Sequence, residues 1–87
     1  MADYKLLIKP SATKELEAIG GKGDRLRIVK RIHALVRDPR AHGSEKLGGY
    51  DDRYRVRHGN YRIVYLIDDK RHEITIYRIG HRREVYR

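Results

Sequence analysis

The segment from Arg53 to Ile79 constrains the fold more than any other part of the chain, because it combines period-two alternation with a short apolar run, both typical of β-strands. Turn residues interrupt it twice. Gly59-Asn60 suits a two-residue hairpin turn, and the polar run 68–71 supplies a second turn. Three consecutive antiparallel strands are therefore predicted, over residues 53–58, 61–67 and 73–79.

The middle strand of this meander carries an unusual charge. Residues 61–67 are apolar on both faces except at Arg62, as expected for a central strand that buries both of its faces. Burying a charge costs free energy, so its presence in a central strand indicates a functional role for Arg62. In the preceding strand, Arg53, Arg55 and Arg57 alternate with apolar or aromatic residues and should share one sheet face.

The first half of the chain changes from strand to helix periodicity. Residues 4–9 are typical of a strand that Pro10 closes. Helical spacing of apolar residues follows up to Ile19 and resumes after Asp24, a good N-cap, until Pro39, with glycines in between. The stretch 41–52 is glycine-rich and predicts a loop. The predicted order is β-α-α-β-β-β, an α+β fold in which a helical hairpin packs on one face of a small antiparallel sheet and leaves the other face partly open.

The length of 87 residues suffices for one domain, which we expect to span residues 1–87. The sequence contains no cysteine, which fits a reducing compartment. It contains neither a long apolar span nor the features of a signal peptide. These observations predict a cytoplasmic protein with no membrane partner.

The charge balance indicates the class of partner. The chain has 21 Lys+Arg against 12 Asp+Glu and a formal net charge of +9. The excess is clustered, because Arg53 to Arg62 contains four arginines and no acid, and 78–87 contains four arginines against Glu84. Such a field attracts polyanions, which makes nucleic acid the expected partner. A charge excess that only maintains solubility is the alternative.

Common catalytic motifs do not account for this composition. The sequence has no phosphate-binding glycine loop, no plausible Ser/His/Asp set and no metal-ligand spacing among its five histidines, so no cofactor or metal is expected. An arginine-rich strand face with tyrosines remains. RNA can be cleaved without a metal when its own 2′-hydroxyl attacks the adjacent phosphate. Fixed guanidinium groups suit the charge of that transition state.

Three segments resemble one family along nearly the whole chain. The hairpin 54–65, the upstream Lys46-Leu47-Gly48-Gly49 and the ending 79–86 are similar to the RelE/ParE toxin superfamily, and the ending favours its RelE branch. The resemblance implies a microbial-ribonuclease-like (RelE-like) fold and a ribosome-dependent endoribonuclease that cuts messenger RNA in the ribosomal A site. It also implies an acidic cognate antitoxin protein as a partner, besides mRNA and the ribosome.

The resemblance, carried over residue by residue, implies Arg55, Arg57, Arg62, Arg82 and Tyr86 as site residues, and Lys46 and His81 are added as candidates. The catalytic ones are Arg57, Arg62, Arg82 and Tyr86, and the RNA-binding ones are Lys46, Arg55 and His81. The family often has lysines where this chain has Arg55 and Arg57. Arginine does not give up its proton, so these two residues are expected to act by charge and position. His81 or His58 could then supply a group that titrates near neutral pH.

Two other functions remain open from the sequence. A ParE-type inhibitor of DNA gyrase could use the same scaffold without a nuclease site. A non-catalytic member that binds RNA without cleaving it is the other possibility. Arg82 and Tyr86 separate the first of these from the nuclease, because a gyrase inhibitor has no use for a phosphate-binding arginine and a base-stacking tyrosine at that place.

Overall fold

A computed structural model describes residues 3–41, 43–49 and 52–81. The elements follow the chain as listed here: β1 Lys5–Ile8, α1 Pro10–Glu17, α2 Lys22–Arg37, β2 Ser44–Lys46, β3 Arg53–His58, β4 Tyr61–Asp68 and β5 Glu73–His81. The strands form one five-stranded sheet in the order β1-β5-β4-β3-β2. This confirms the predicted α+β class.

Strands β3, β4 and β5 form the predicted antiparallel meander, with β4 at its centre. His58 pairs with Tyr61 across the turn, and Gly59 adopts a φ of 60°, a conformation that glycine accepts without a Cβ clash. The N-terminal strand β1 lies parallel to β5 at one edge. The chain between these two strands runs through both helices and the other three strands, which gives it the length that a parallel pairing needs.

The prediction of a loop over 41–52 was wrong for Ser44–Lys46, which form β2 and pair antiparallel with β3. Three residues are too few to show an alternating pattern, and their polar side chains resemble those of a loop. Strand β5 also continues to His81, beyond Ile79, because Gly80 and His81 pair with Arg62 and Tyr61 of β4.

The helix boundaries differ from the predicted ones by a few residues. Helix α1 begins at Pro10, which suits the first helical position because proline has no N–H to satisfy there. In α2, Gly21 is the N-cap and Asp24 lies in the first turn, where its negative charge favours the helix dipole.

The core lies between the two helices and one face of the sheet. Ala12, Ile28, Ile32 and Leu35 from the helices pack against apolar side chains of β3, β4 and β5. We call this sheet side the helix face and the opposite side the open face. Tyr65 lies in the core, fully buried, and its hydroxyl donates to the Pro39 carbonyl at 2.6 Å.

Within the described residues, no helix is both long and apolar enough to cross a membrane.

Candidate functional site

The open face of the sheet gathers arginines from three strands. Alternation along β3 places Arg55 and Arg57 on this face, because Val56 between them is buried in the core. Residues paired directly across neighbouring strands share a face. Arg57 of β3 is therefore beside Arg62 of β4 in one row across the strands. In the adjacent row, Val64 of β4 lies between Arg55 of β3 and Arg78 of β5. We call these four residues the arginine cluster.

Arg57 and Arg62 are directly opposite each other on β3 and β4. Their Cα atoms are therefore separated by about 5 Å, the usual spacing of cross-strand partners. Two like charges in this arrangement destabilise a sheet. Arg57 is exposed, so its guanidinium can meet a ligand from solvent.

Arg62 is only 5% exposed and is the one buried charged residue among those the structure describes. Its position on the central strand puts β3 on one side and β5 on the other, where Gly80 offers no side chain at the paired position. One terminal nitrogen, Nη1, donates to the Tyr61 carbonyl at 3.3 Å. Burial fixes the direction of this guanidinium, which suits a group that must hold a charged ligand in one geometry.

Glu45 on β2 extends the Arg55 row to the edge of the sheet. Its carboxylate accepts a hydrogen bond from Nη2 of Arg55 at 2.7 Å. That hydrogen bond, helped by the charges of Arg57 and Arg62, lowers the pKa of Glu45 from its ordinary 4.5. Glu45 is therefore a carboxylate that stays ionised at neutral pH and holds Arg55 in place.

The cluster can bind a phosphodiester. Guanidinium groups remain protonated and present paired donors that match phosphate oxygens. Arg57 is accessible, Arg62 is immobilised by burial and Arg55 is oriented by Glu45. Such a set can align a phosphate and stabilise additional negative charge on it.

Two other predicted site residues, Lys46 and His81, lie apart from the cluster. Lys46 pairs with Tyr54 and so lies on the sheet face opposite Arg55. His81 packs edge-on against the Tyr61 ring at a centroid distance of 6.1 Å, at the end of the sheet, where Tyr61 pairs with His58 on its other side. Arg82 and Tyr86 lie outside the described residues. The functional roles assigned to all of these residues remain predictions.

The sequence prediction missed Glu45 and Arg78. Glu45 was missed because β2 was predicted as loop, and in a loop its side chain has no defined direction. Arg78 lies in a strand that the pattern did predict, but its pairing with Val64, next to Arg55, depends on the register of the three strands. A β-bulge between Val64 and Tyr65 shifts that register, and residue types alone do not reveal it.

Comparisons with known proteins agree on one family. A family model described as the ParE toxin of the type II toxin–antitoxin system parDE matches residues 6–86. The chain is 27% identical over 84 residues to Toxin RelE of Mycobacterium tuberculosis (strain ATCC 25618 / H37Rv), a match that covers 97% of this chain and 87% of that protein.

Solved structures show the same fold. The archaeal RelE–RelB complex from Pyrococcus horikoshii OT3 has a chain that superposes with a TM-score of 0.82 at 26% identity, covering 94% of this chain and 98% of that one. A mutant of the E. coli toxin RelE in complex with a peptide of the antitoxin RelB superposes with a TM-score of 0.78 at 30% identity, covering 99% and 92%.

Proposed function

The chain belongs to the ParE toxin family of type II toxin–antitoxin systems, within the RelE/ParE superfamily, and we propose that it is a ribosome-dependent endoribonuclease that cuts messenger RNA in the ribosomal A site. The observation that carries this proposal is the pairing of Arg57 with buried Arg62 on the open face. This arrangement costs stability in the free protein. An RNA phosphate between the two guanidinium groups would remove the repulsion.

The proposed reaction is a metal-independent transesterification within the RNA. The 2′-oxygen loses its proton to a general base and forms a bond to the adjacent phosphorus. The bond from that phosphorus to the 5′-oxygen then breaks. The leaving 5′-oxygen takes up a proton from water, so the products carry a 2′,3′-cyclic phosphate and a 5′-hydroxyl. Arg57 and Arg62 would hold the phosphate in line and stabilise the charge on its oxygens. Arg82 would add a further cation, and Tyr86 would stack on a base.

The proton acceptor must be a group other than arginine. Glu45 is a candidate because it is ionised and within hydrogen-bond distance of Arg55, although its lowered pKa makes it a weak base. His58 and His81 are the other candidates, since imidazole is the side chain that most often acts as a general base. A pH–rate profile that is unchanged between pH 5 and 8 in His81→Ala would remove His81 from this role.

The proposed partner is an acidic antitoxin that covers the arginine cluster. Relatives of this fold were solved as complexes with the antitoxin RelB or a peptide of it. The net charge of +9 favours association with an acidic chain. A carboxylate of such a partner could take the place of the RNA phosphate between Arg57 and Arg62.

A second candidate function is the inhibition of DNA gyrase, because the family model that matches residues 6–86 is described by its ParE toxins. In that case the arginine cluster would contact a protein, and RNA would remain intact. Cleavage mapping separates the two functions.

The test is a translating extract that contains a reporter messenger RNA, with breaks mapped by primer extension. We expect breaks inside codons that require ribosomes and that disappear with Arg57→Ala. Arg71→Ala is the matched control, because Arg71 is an exposed arginine in the β4–β5 turn, far from the cluster. Intact RNA with the wild-type protein would contradict the nuclease proposal, and equal cleavage by both variants would contradict the role of Arg57 in it.

A further inference from the structure

A concave site separate from the open face lies between α2 and the end of β3. Its volume is about 530 Å³, within the range of roughly 300–1,000 Å³ that is usual for ligand sites. The lining residues are mostly cationic: Arg27, Lys30, Arg31, Ala34, Arg57 and His58. None of them is acidic. We call this site the helix–strand pocket.

Helix geometry explains how the pocket residues come together. Positions 27, 30, 31 and 34 are spaced by three and four residues, so they form one stripe along α2. Ile28, Ile32 and Leu35 form the neighbouring stripe and are buried in the core. The cationic stripe therefore lies along the flank of the helix, above the sheet edge. Asp24 pairs with Arg27 at 3.5 Å, but both side chains are largely exposed, so this ion pair contributes little and can open.

The sheet edge is open beside this stripe. Strand β2 pairs with β3 at Tyr54, Arg55 and Val56, and no described residue pairs with the outer edge of β3 at Arg57 and His58. The helix–strand pocket occupies that gap. Arg57 lines the pocket and also pairs with Arg62 on the open face. The pocket and the arginine cluster are thus connected through one residue.

We propose that the helix–strand pocket binds a backbone phosphate of the same RNA strand whose scissile phosphate lies at the arginine cluster. This inference rests on the proposed function and assigns to it a second phosphate site. A strand that passes over the open edge of β3 keeps its phosphates near cations on both sides of Arg57. The pocket should have no sequence preference, because Arg27, Lys30 and Arg31 offer positive charge and hydrogen-bond donors that fit any phosphate. It fixes the position of the strand relative to the cluster.

The test measures binding without cleavage. The probe is a fluorescent single-stranded RNA oligonucleotide with 2′-O-methyl groups, which lacks the attacking hydroxyl, and binding is followed by anisotropy between 50 and 200 mM salt. Arg27→Gln/Lys30→Gln removes two pocket charges. The matched control is Lys22→Gln/Arg25→Gln, which removes one lysine and one arginine from the other flank of the same helix.

We expect the pocket variant to bind about tenfold more weakly at low salt, with a dependence of log K on log salt that is shallower by about 0.7–1.4. The control variant should change affinity by less than about threefold. Arg27→Lys/Lys30→Arg keeps both charges and should bind as the wild type does. Thermal unfolding of each variant verifies that it is folded.

Equal losses in the pocket and control variants would overturn the proposal, because they would show a diffuse charge effect. So would a pocket variant that binds RNA normally but loses affinity for polyglutamate, since the pocket would then serve a protein partner. A wild-type protein that fails to cleave messenger RNA contradicts the proposed function alone. The binding comparison is independent of cleavage, so the two failures are distinguishable.

Discussion

At the scale of single residues, burial separates arginines that look alike in the sequence. Arg57 and Arg62 are cross-strand partners, yet one is exposed and the other is 5% exposed. Desolvation makes the charge of Arg62 costly and its direction fixed. Arg57 is exposed and is shared by the arginine cluster and the helix–strand pocket. The buried Arg62 guanidinium therefore has a fixed direction, whereas the exposed Arg57 guanidinium is accessible to a ligand.

Arg57→Ala should make the protein more stable and less active. Removing one of two like charges that face each other should raise the free energy of unfolding by about 0.5 kcal/mol. Loss of one phosphate donor should lower the cleavage rate by about 100-fold. Urea unfolding and primer-extension rates measure the two effects on the same preparation. A variant that is both less stable and less active would indicate a structural role for Arg57.

At the scale of elements, α1 protects an open part of the sheet. Strand β1 pairs with β5 up to Ile76, and within the part of the chain that the structure describes no strand pairs with the edge of β5 beyond that residue. Glu15 of α1 accepts a hydrogen bond from the Ile79 backbone N–H at 2.9 Å, and its second oxygen lies 3.5 Å from Nη2 of Arg78. A side chain from the helix thus replaces the missing ladder partner and limits pairing with other chains at this edge.

Glu15→Ala should lower the free energy of unfolding by about 1–2 kcal/mol, because it leaves a half-buried backbone N–H without its charged acceptor. Amide exchange at Ile79 should also become faster. Glu17→Ala is the matched control, since Glu17 lies on the same helix and is exposed. Similar losses of stability in the two variants would show that helix charge, and not the hydrogen bond to Ile79, is responsible.

At the scale of the whole molecule, one polar network ties distant parts of the chain together. Asp69 in the β4–β5 turn accepts bonds from both terminal nitrogens of Arg40, at 3.2 and 2.8 Å, and from the Tyr4 hydroxyl at 2.8 Å. Arg40 also donates to the Tyr54 hydroxyl at 3.2 Å. The residue before β1, the segment after α2, strand β3 and the β4–β5 turn therefore meet at the end of the sheet opposite the Gly59 turn.

This network should make stability depend on acid pH. The hydrogen bond from Arg40, together with that from Tyr4, lowers the pKa of Asp69 from its ordinary 3.8. A carboxyl whose pKa is lower in the folded state stabilises the protein above its unfolded pKa and loses that contribution as pH falls through the folded value. The difference in stability between wild type and Asp69→Asn should be constant above about pH 5 and shrink below about pH 3.8. Urea unfolding as a function of pH measures it, and a difference that is undiminished at pH 2 would contradict this role.

Whole-molecule charge belongs to the same scale. A net charge of +9 on 87 residues repels itself in the compact state and attracts polyanions at a distance. The arginine cluster concentrates this charge on the open face, and the helix–strand pocket continues it around the edge of β3. A nucleic-acid strand or an acidic protein partner would relieve the repulsion at both places.

Much of this protein was predictable from its sequence because local chemistry decides it. Period-two alternation and the Gly59-Asn60 turn determine the β3–β4 hairpin, the apolar run 61–67 determines the central strand, and helical spacing determines α1 and α2. The choice of Arg55, Arg57 and Arg62 as cluster residues also came from alternation and from the charge that interrupts an apolar strand.

Tertiary structure alone decided which distant residues meet. Strand β2 is too short to show a sequence pattern, and it forms by pairing with β3. This pairing places Glu45 next to Arg55. The β-bulge sets the register that places Arg78, and the gap at the end of β2 opens the pocket between Arg57 and α2. These features depend on pairing between segments far apart in the chain. The free energy of such pairing lies in packing and hydrogen bonds that no local stretch of sequence encodes.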